Sequence, residues 1–91
     1  MRMEDRIKAL LSEKLNPAEI EVKNMSHLHA GHAGDDGSGE SHFRVMVVSK
    51  MFENKGKIER HRMVFGILQC EIKAIHALEI KAFTPDEREK V

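Results

Sequence analysis

In the first fifteen positions the apolar residues Met3, Ile7, Leu10, Leu11 and Leu15 recur at helical spacing with charged residues between them, which predicts an amphipathic helix from Arg2 to Leu15. Asn16-Pro17 ends it, because proline brings no backbone N–H to the next helical hydrogen bond and restricts the residue before it. Ile20 and Val22 then alternate with Glu19, Glu21 and Lys23, the period of a half-buried strand. From Met25 to Ser41 no apolar period survives. This stretch holds Asp35-Asp36, three histidines and most of the glycines, and reads as a long loop, of a length that is uncommon in a compact domain and often functional. The β-formers of His42 to Ser49 predict a second strand, antiparallel to the first.

Between Met51 and Lys57 the residues are mostly polar and include Gly56, so a turn or a single short helical turn is expected. The main helix follows from about Lys57 to Lys73, with Ile58, Met63, Val64, Ile67, Leu68 and Ile72 expected on one face. Gly66 weakens this helix but permits close packing. His76, Leu78, Ile80 and Ala82 share one parity of a last strand, Glu79 and Lys81 take the other, and a polar tail follows over 84–91, its last few residues expected to fray. The order α-β-β-α-α-β makes an α+β domain in which a three-stranded mixed sheet carries its helices on one face.

Length and composition narrow this further. At 91 residues and 10.4 kDa the chain makes a single domain, 1–91, with its core over about 3–85. Hydrophobic residues are 41 % of the chain and Trp and Tyr are absent, so the core must be aliphatic. Fifteen basic residues balance fifteen acidic ones, and any affinity for nucleic acid has to come from a local patch. No apolar run approaches a membrane span, and the N-terminus is charged without a signal-peptide core, so a soluble cytoplasmic protein without membrane contact is expected; the Met1 start favours the same compartment.

Candidate chemistry is concentrated in the histidines. His27, His29, His32 and His42 cluster in and beside the loop, and neutral imidazole is a ligand for zinc, iron or copper. Their spacing matches no standard metal motif, and the lone Cys70 supplies neither a disulfide nor a thiolate set, so an isolated chain is expected to hold no metal. His76 is expected at the sheet's edge, where a hydrogen-bonded structural histidine is the commoner outcome. Lys55, Lys57, Arg60, His61 and Arg62 form the dense basic cluster, but Arg60 and Arg62, two apart, point to different sides of a helix. Gly31-His32-Ala33-Gly34 matches a phosphate-clamping GxxG, yet it lies between strands and next to Asp35 and Asp36, which repel phosphate. There is no nucleophile elbow, phosphate loop or HExxH; Cys70 is expected to be a small packing residue, and catalysis is not expected.

Taken together, Asn24-x-Ser26-His27-x-His29, Gly39-Glu40-Ser41-His42-Phe43-Arg44-Val45, Arg60-His61-Arg62-Met63-Val64, His76-Ala77-Leu78 and Thr84-Pro85 resemble the BolA family, in the correct order from about Ile7 to Pro85. The resemblance implies a class II KH-like fold, in agreement with the element order. It also implies a partnership with a monothiol, CGFS-type glutaredoxin, the two proteins sharing a [2Fe-2S] cluster whose remaining ligands are the glutaredoxin cysteine and glutathione. On that resemblance His76 and a loop histidine are the ligands of this chain, His29 ranking over His32, while Arg60, His61, Arg62, His76 and Ala77 contribute to the partner face. Replacing thiolate by neutral imidazole lowers the cluster's negative charge and raises its potential. The family's other implied role is transcriptional regulation, with DNA bound through a helix-turn-helix-like segment over 50–73 and Lys55, Lys57, Arg60 and Arg62 on phosphate.

Overall fold

The computed structural model describes residues 2–26 and 41–90. Helix α1 runs Met3–Leu15, strand β1 Glu19–Asn24 and strand β2 His42–Val48; a 3-10 turn, Lys50–Phe52, leads to α2 Lys57–Ile67, α3 Gln69–Ile72, β3 Ala77–Phe83 and α4 Pro85–Glu89. In α1, Glu4 and Asp5 lie in the first turn and Lys14 in the last, each opposing the helix dipole. Asn16 closes it in the left-handed region, at φ 42°, a conformation asparagine tolerates better than most residues.

The sheet has the order β1-β2-β3 and is mixed. β1 pairs antiparallel with β2, with Val22 opposite Val45, as expected. β3 pairs parallel with β2, with Ile80 also level with Val45. Parallel neighbours need a crossover, and the 3-10 turn, α2 and α3 provide it. Phe43, Val45 and Val47 of β2, at alternate positions, bury one face against Ile7, Leu11 and Leu15 of α1 and Val64 of α2, with Leu68, Phe52 and Ile80 completing the cluster. Both helices therefore lie on that face. The opposite face carries charge: Arg44 Nε donates to Glu79 Oε2 at 2.7 Å across β2 and β3, and Lys23 pairs with Glu21 along β1. Ser49 Oγ, fully buried, donates to Leu15 O at 2.7 Å and ties the end of β2 to the end of α1.

Several details differ from the sequence reading. The main helix is two helices, separated at Leu68 (φ −98°, ψ 18°), and beyond the bend Glu71 is buried and accepts from Arg6 of α1 at 2.9 Å. Ile58 is 69 % exposed instead of facing the core. Six positions separate it from Val64, which at 100° per residue puts the two about 120° apart around the helix. Phe65, seven positions on, shares its exposed side. At Gly66 an added Cβ would meet nothing within 4 Å, so no close packing requires this glycine. Cys70 is exposed, on the solvent side of α3, and not a packing residue.

The tail forms a helix through Glu89. Thr84 Oγ1 accepts from Glu87 N while Glu87 Oε1 accepts from Thr84 N at 2.9 Å, a capping box that starts α4 with Pro85 in its first turn. Arg88 then reaches Glu19 of β1 at 2.9 Å. The sequence pattern from Thr84 to Glu87 is a helix-start signature, and the polarity of the segment conceals it.

Candidate functional site

The long connection between β1 and β2 leaves the sheet at Ser26 and returns at Ser41, and these two residues are fastened to each other. Ser26 Oγ, buried, accepts from Ser41 N at 2.8 Å and from His42 N at 3.0 Å, and lies 3.4 Å from His42 O as donor. Asn24 Oδ1 accepts from Ser26 N at 2.9 Å and holds the turn that presents this hydroxyl. One small side chain thus satisfies two successive backbone donors where the chain re-enters the sheet.

The same anchor reaches β3. Ser41 O accepts from His76 N at 2.8 Å and from Ala77 N at 3.1 Å, so His76 stands immediately before β3, at the base of both ends of the connection. Its side chain is exposed. His42, level with Ala77 in the parallel pair, is buried, and its ring centroid is 5.2 Å from that of His76. Ser41 Oγ lies 2.7 Å from His42 Nδ1 and orients that ring. An exposed imidazole beside an oriented, buried one is able to present a nitrogen to a metal carried by another molecule.

His29 and His32, together with His27, lie outside the described residues. Among the described residues no group of three or more His, Cys, Asp and Glu is placed to hold a metal ion. Sequence reasoning treats Ser26 only as part of a motif and His42 only as one of the clustered histidines. Their roles depend on the register that sets His42 beside Ala77, and no periodicity encodes a parallel register.

The basic cluster divides. Arg60 is withdrawn into the fold: Nε donates to Lys55 O at 2.8 Å, Nη1 to Ala82 O at 3.1 Å, and the two terminal nitrogens clasp the Glu87 carboxylate at 2.6 and 3.0 Å. Its guanidinium also lies 5.9 Å from the centre of the Phe52 ring. This clasp raises the Arg60 pKa and, with the Thr84 backbone bond, lowers that of Glu87 to about 2. Arg44 likewise lowers the pKa of Glu79. Arg62 is exposed, His61 half-buried, and Lys55 and Lys57 flank the start of α2. His76 and Ala77 sit at the start of β3, and Arg60 and His61 line a groove that runs along the same strand from Leu78 to Phe83.

No helix among the described residues is long and apolar enough to cross a membrane. A profile of the family described as BolA-like protein matches residues 11–87. The chain is 45 % identical over 87 residues to SufE-like protein 1, chloroplastic/mitochondrial, of Arabidopsis thaliana, covering 90 % of this chain but only 24 % of that relative's length. It is 34 % identical over 88 residues to the DNA-binding transcriptional regulator BolA of Haemophilus influenzae, covering 96 % of this chain and 82 % of the relative. Among solved structures, the BolA domain of SufE1 from Arabidopsis thaliana superposes with a TM-score of 0.83 at 41 % identity, over 92 % of this chain and 93 % of that one. With its motifs in order, its mixed sheet in register and its helices on one face, this chain belongs to the BolA family.

Proposed function

We propose that this protein is the BolA-like partner of a monothiol CGFS glutaredoxin, with which it shares a glutathione-ligated [2Fe-2S] cluster in iron–sulfur trafficking or iron and redox regulation. The cluster is cargo held at the junction of two proteins. His76 is the ligand from the described fold, and a histidine of the β1–β2 connection, His29 ahead of His32, is the second. One observation supports the reading above the others: an exposed histidine stands where both ends of the histidine-bearing connection are fastened, beside a second imidazole 5.2 Å away. Two ligands from this chain leave the rest of the cluster to the partner's thiolates, consistent with the lone Cys70. The protein then acts as a carrier and not a catalyst, in the cytoplasm.

The test is visible absorption and circular dichroism of this protein mixed with a holo monothiol glutaredoxin and glutathione. Wild type is expected to co-elute with the glutaredoxin and give a new cluster spectrum, His76→Ala to abolish it, and His29→Ala to weaken it more than His32→Ala does. A complex whose spectrum ignores His76→Ala would reduce the protein to a scaffold, and no complex at all would end the cluster reading.

The second reading is DNA binding, favoured by the Haemophilus relative's name. Here Lys55, Lys57 and Arg62 remain the available cations, since Arg60 is clasped by Glu87. It requires a sequence-selective complex of the isolated protein that weakens steeply with salt and is lost on neutralising those three residues.

A further inference from the structure

β3 is an edge strand, and its backbone polarity can be assigned. Ala77 N donates toward β2, to Ser41 O, and Phe83 O accepts from Ser49 N, so the odd-numbered residues of β3 face β2. Leu78, Ile80 and Ala82 therefore direct their backbone groups to the open side. Ala82 O is occupied there by Arg60 Nη1 at 3.1 Å. Three N–H donors and the carbonyls of Leu78 and Ile80 remain along an edge that borders a groove of about 960 Å³, walled on its far side by the start of α2 at Lys55, Lys57 and His61.

The charge beside this edge is unbalanced. Its carboxylates are already engaged, Glu79 by Arg44 and Glu87 by Arg60, and Arg60 is neutralised in return. Lys55, Lys57 and Lys81 take part in no ion pair among the described residues. Lys81 projects from the outer face of the sheet, while the groove side is apolar at Leu78, Ile80 and Ala82 and basic only at its α2 end. A strand laid along the edge would turn alternate side chains to these two environments.

We propose that the free edge of β3 is a docking site for an extended peptide in which acidic and apolar residues alternate, added antiparallel or parallel as a fourth strand. Its backbone completes the ladder at Leu78, Ile80 and Ala82, its acidic side chains meet Lys81, its apolar ones enter the groove, and an acidic end reaches Lys55 and Lys57. A second copy of this chain fits the edge poorly. It would bring its own Lys55, Lys57 and Lys81 to the same edge, like charge against like. This proposal does not depend on the cluster reading, because the residues that carry it are other than His76 and the loop histidines.

The experiment is amide hydrogen exchange by NMR on the full chain, with and without a blocked peptide of alternating glutamate and valine. Exchange is expected to slow at Leu78, Ile80 and Ala82 on adding the peptide, and to change little at Glu79 and Lys81, which already bond to β2. The same peptide N-methylated at every residue keeps its charge but not its donors, and should lose the effect. Lys57→Glu combined with Lys81→Glu, both at exposed positions, should weaken binding about tenfold. Four results overturn the proposal: no binding; equal binding of the N-methylated peptide; protection that rises with protein concentration without peptide, which marks self-pairing; or tighter binding of a single-stranded oligonucleotide of equal charge, which assigns the lysines to phosphate.

Discussion

Ser26 shows how much a single hydroxyl can organise. It is buried and serves the backbone of Ser41 and His42, and its loss leaves two N–H groups without their acceptor. Ser26→Ala is therefore expected to lower stability by about 2 kcal/mol, seen as a lower urea midpoint with an unchanged slope. Amide exchange at Ser41 and His42 should quicken in the same variant. His76 and His42 make a contrasting pair. His76 is exposed, so His76→Ala should shift stability by no more than about 0.5 kcal/mol in the isolated protein, which makes it a clean probe of ligation. His42 is buried against it, and a truncation there is expected to cost stability as well. At this scale the sequence marks His76 as a candidate because it opens a specific motif. Ser26 and His42 were not assigned roles because their partners are fifteen or more positions away in the chain.

Among the elements, α2 and α4 are the ones whose behaviour is least evident from their own residues. Gly66 sits in α2 with open space where a Cβ would be, so Gly66→Ala should raise stability by about 0.8 kcal/mol, measurable as a higher melting temperature. A decrease would show that the added methyl strains the fold at this position. α4 is held by its capping box and by Glu87 on Arg60. Because folding holds the Glu87 carboxyl below its ordinary 4.5, at about 2, this latch stabilises the fold fully above about pH 4.5 and loses that contribution as the pH falls toward 2. Glu87→Gln should lose that part of the acid-side dependence, and urea unfolding of the two proteins between pH 6 and about 2.5 compares them directly. If the variant's pH profile matches wild type, the latch contributes nothing. The apolar stripe of α2 is also weaker than its composition suggests: Ile58 and Phe65 lie on the solvent side, and only a helical projection, not a count of apolar residues, separates them from Val64 and Leu68.

In the whole molecule, stability rests on one hydrophobic cluster between a sheet and two helices, in which Phe43 and Phe52 join the aliphatic side chains that the sequence predicts. A domain of this size has net stability on the order of 5–10 kcal/mol, so Leu11→Ala, at a fully buried position of α1, should remove about 3 kcal/mol, a large share of the total. Calorimetric melting would register it as a fall of ten degrees or more, by the usual scaling of about 4 °C or more per kcal/mol for small domains. The proposed cluster site belongs to this scale too, since His76 stands where the ends of separate elements are fastened together.

The sequence by itself determined the element order, the class of the fold, the helix stop at Asn16-Pro17 and most of the core, since these follow from local periodicity and from residues a few positions apart. Its motifs also identified the family. Tertiary structure alone decided that β3 pairs with β2 in the register that sets Ile80 level with Val45, that His76 stands beside His42, that Arg60 is spent on Glu87 and Ala82, and that Arg88 ties the last helix to Glu19. Each of these joins residues far apart in the chain, and a local pattern carries no record of which distant strand, carboxylate or carbonyl will complete a contact.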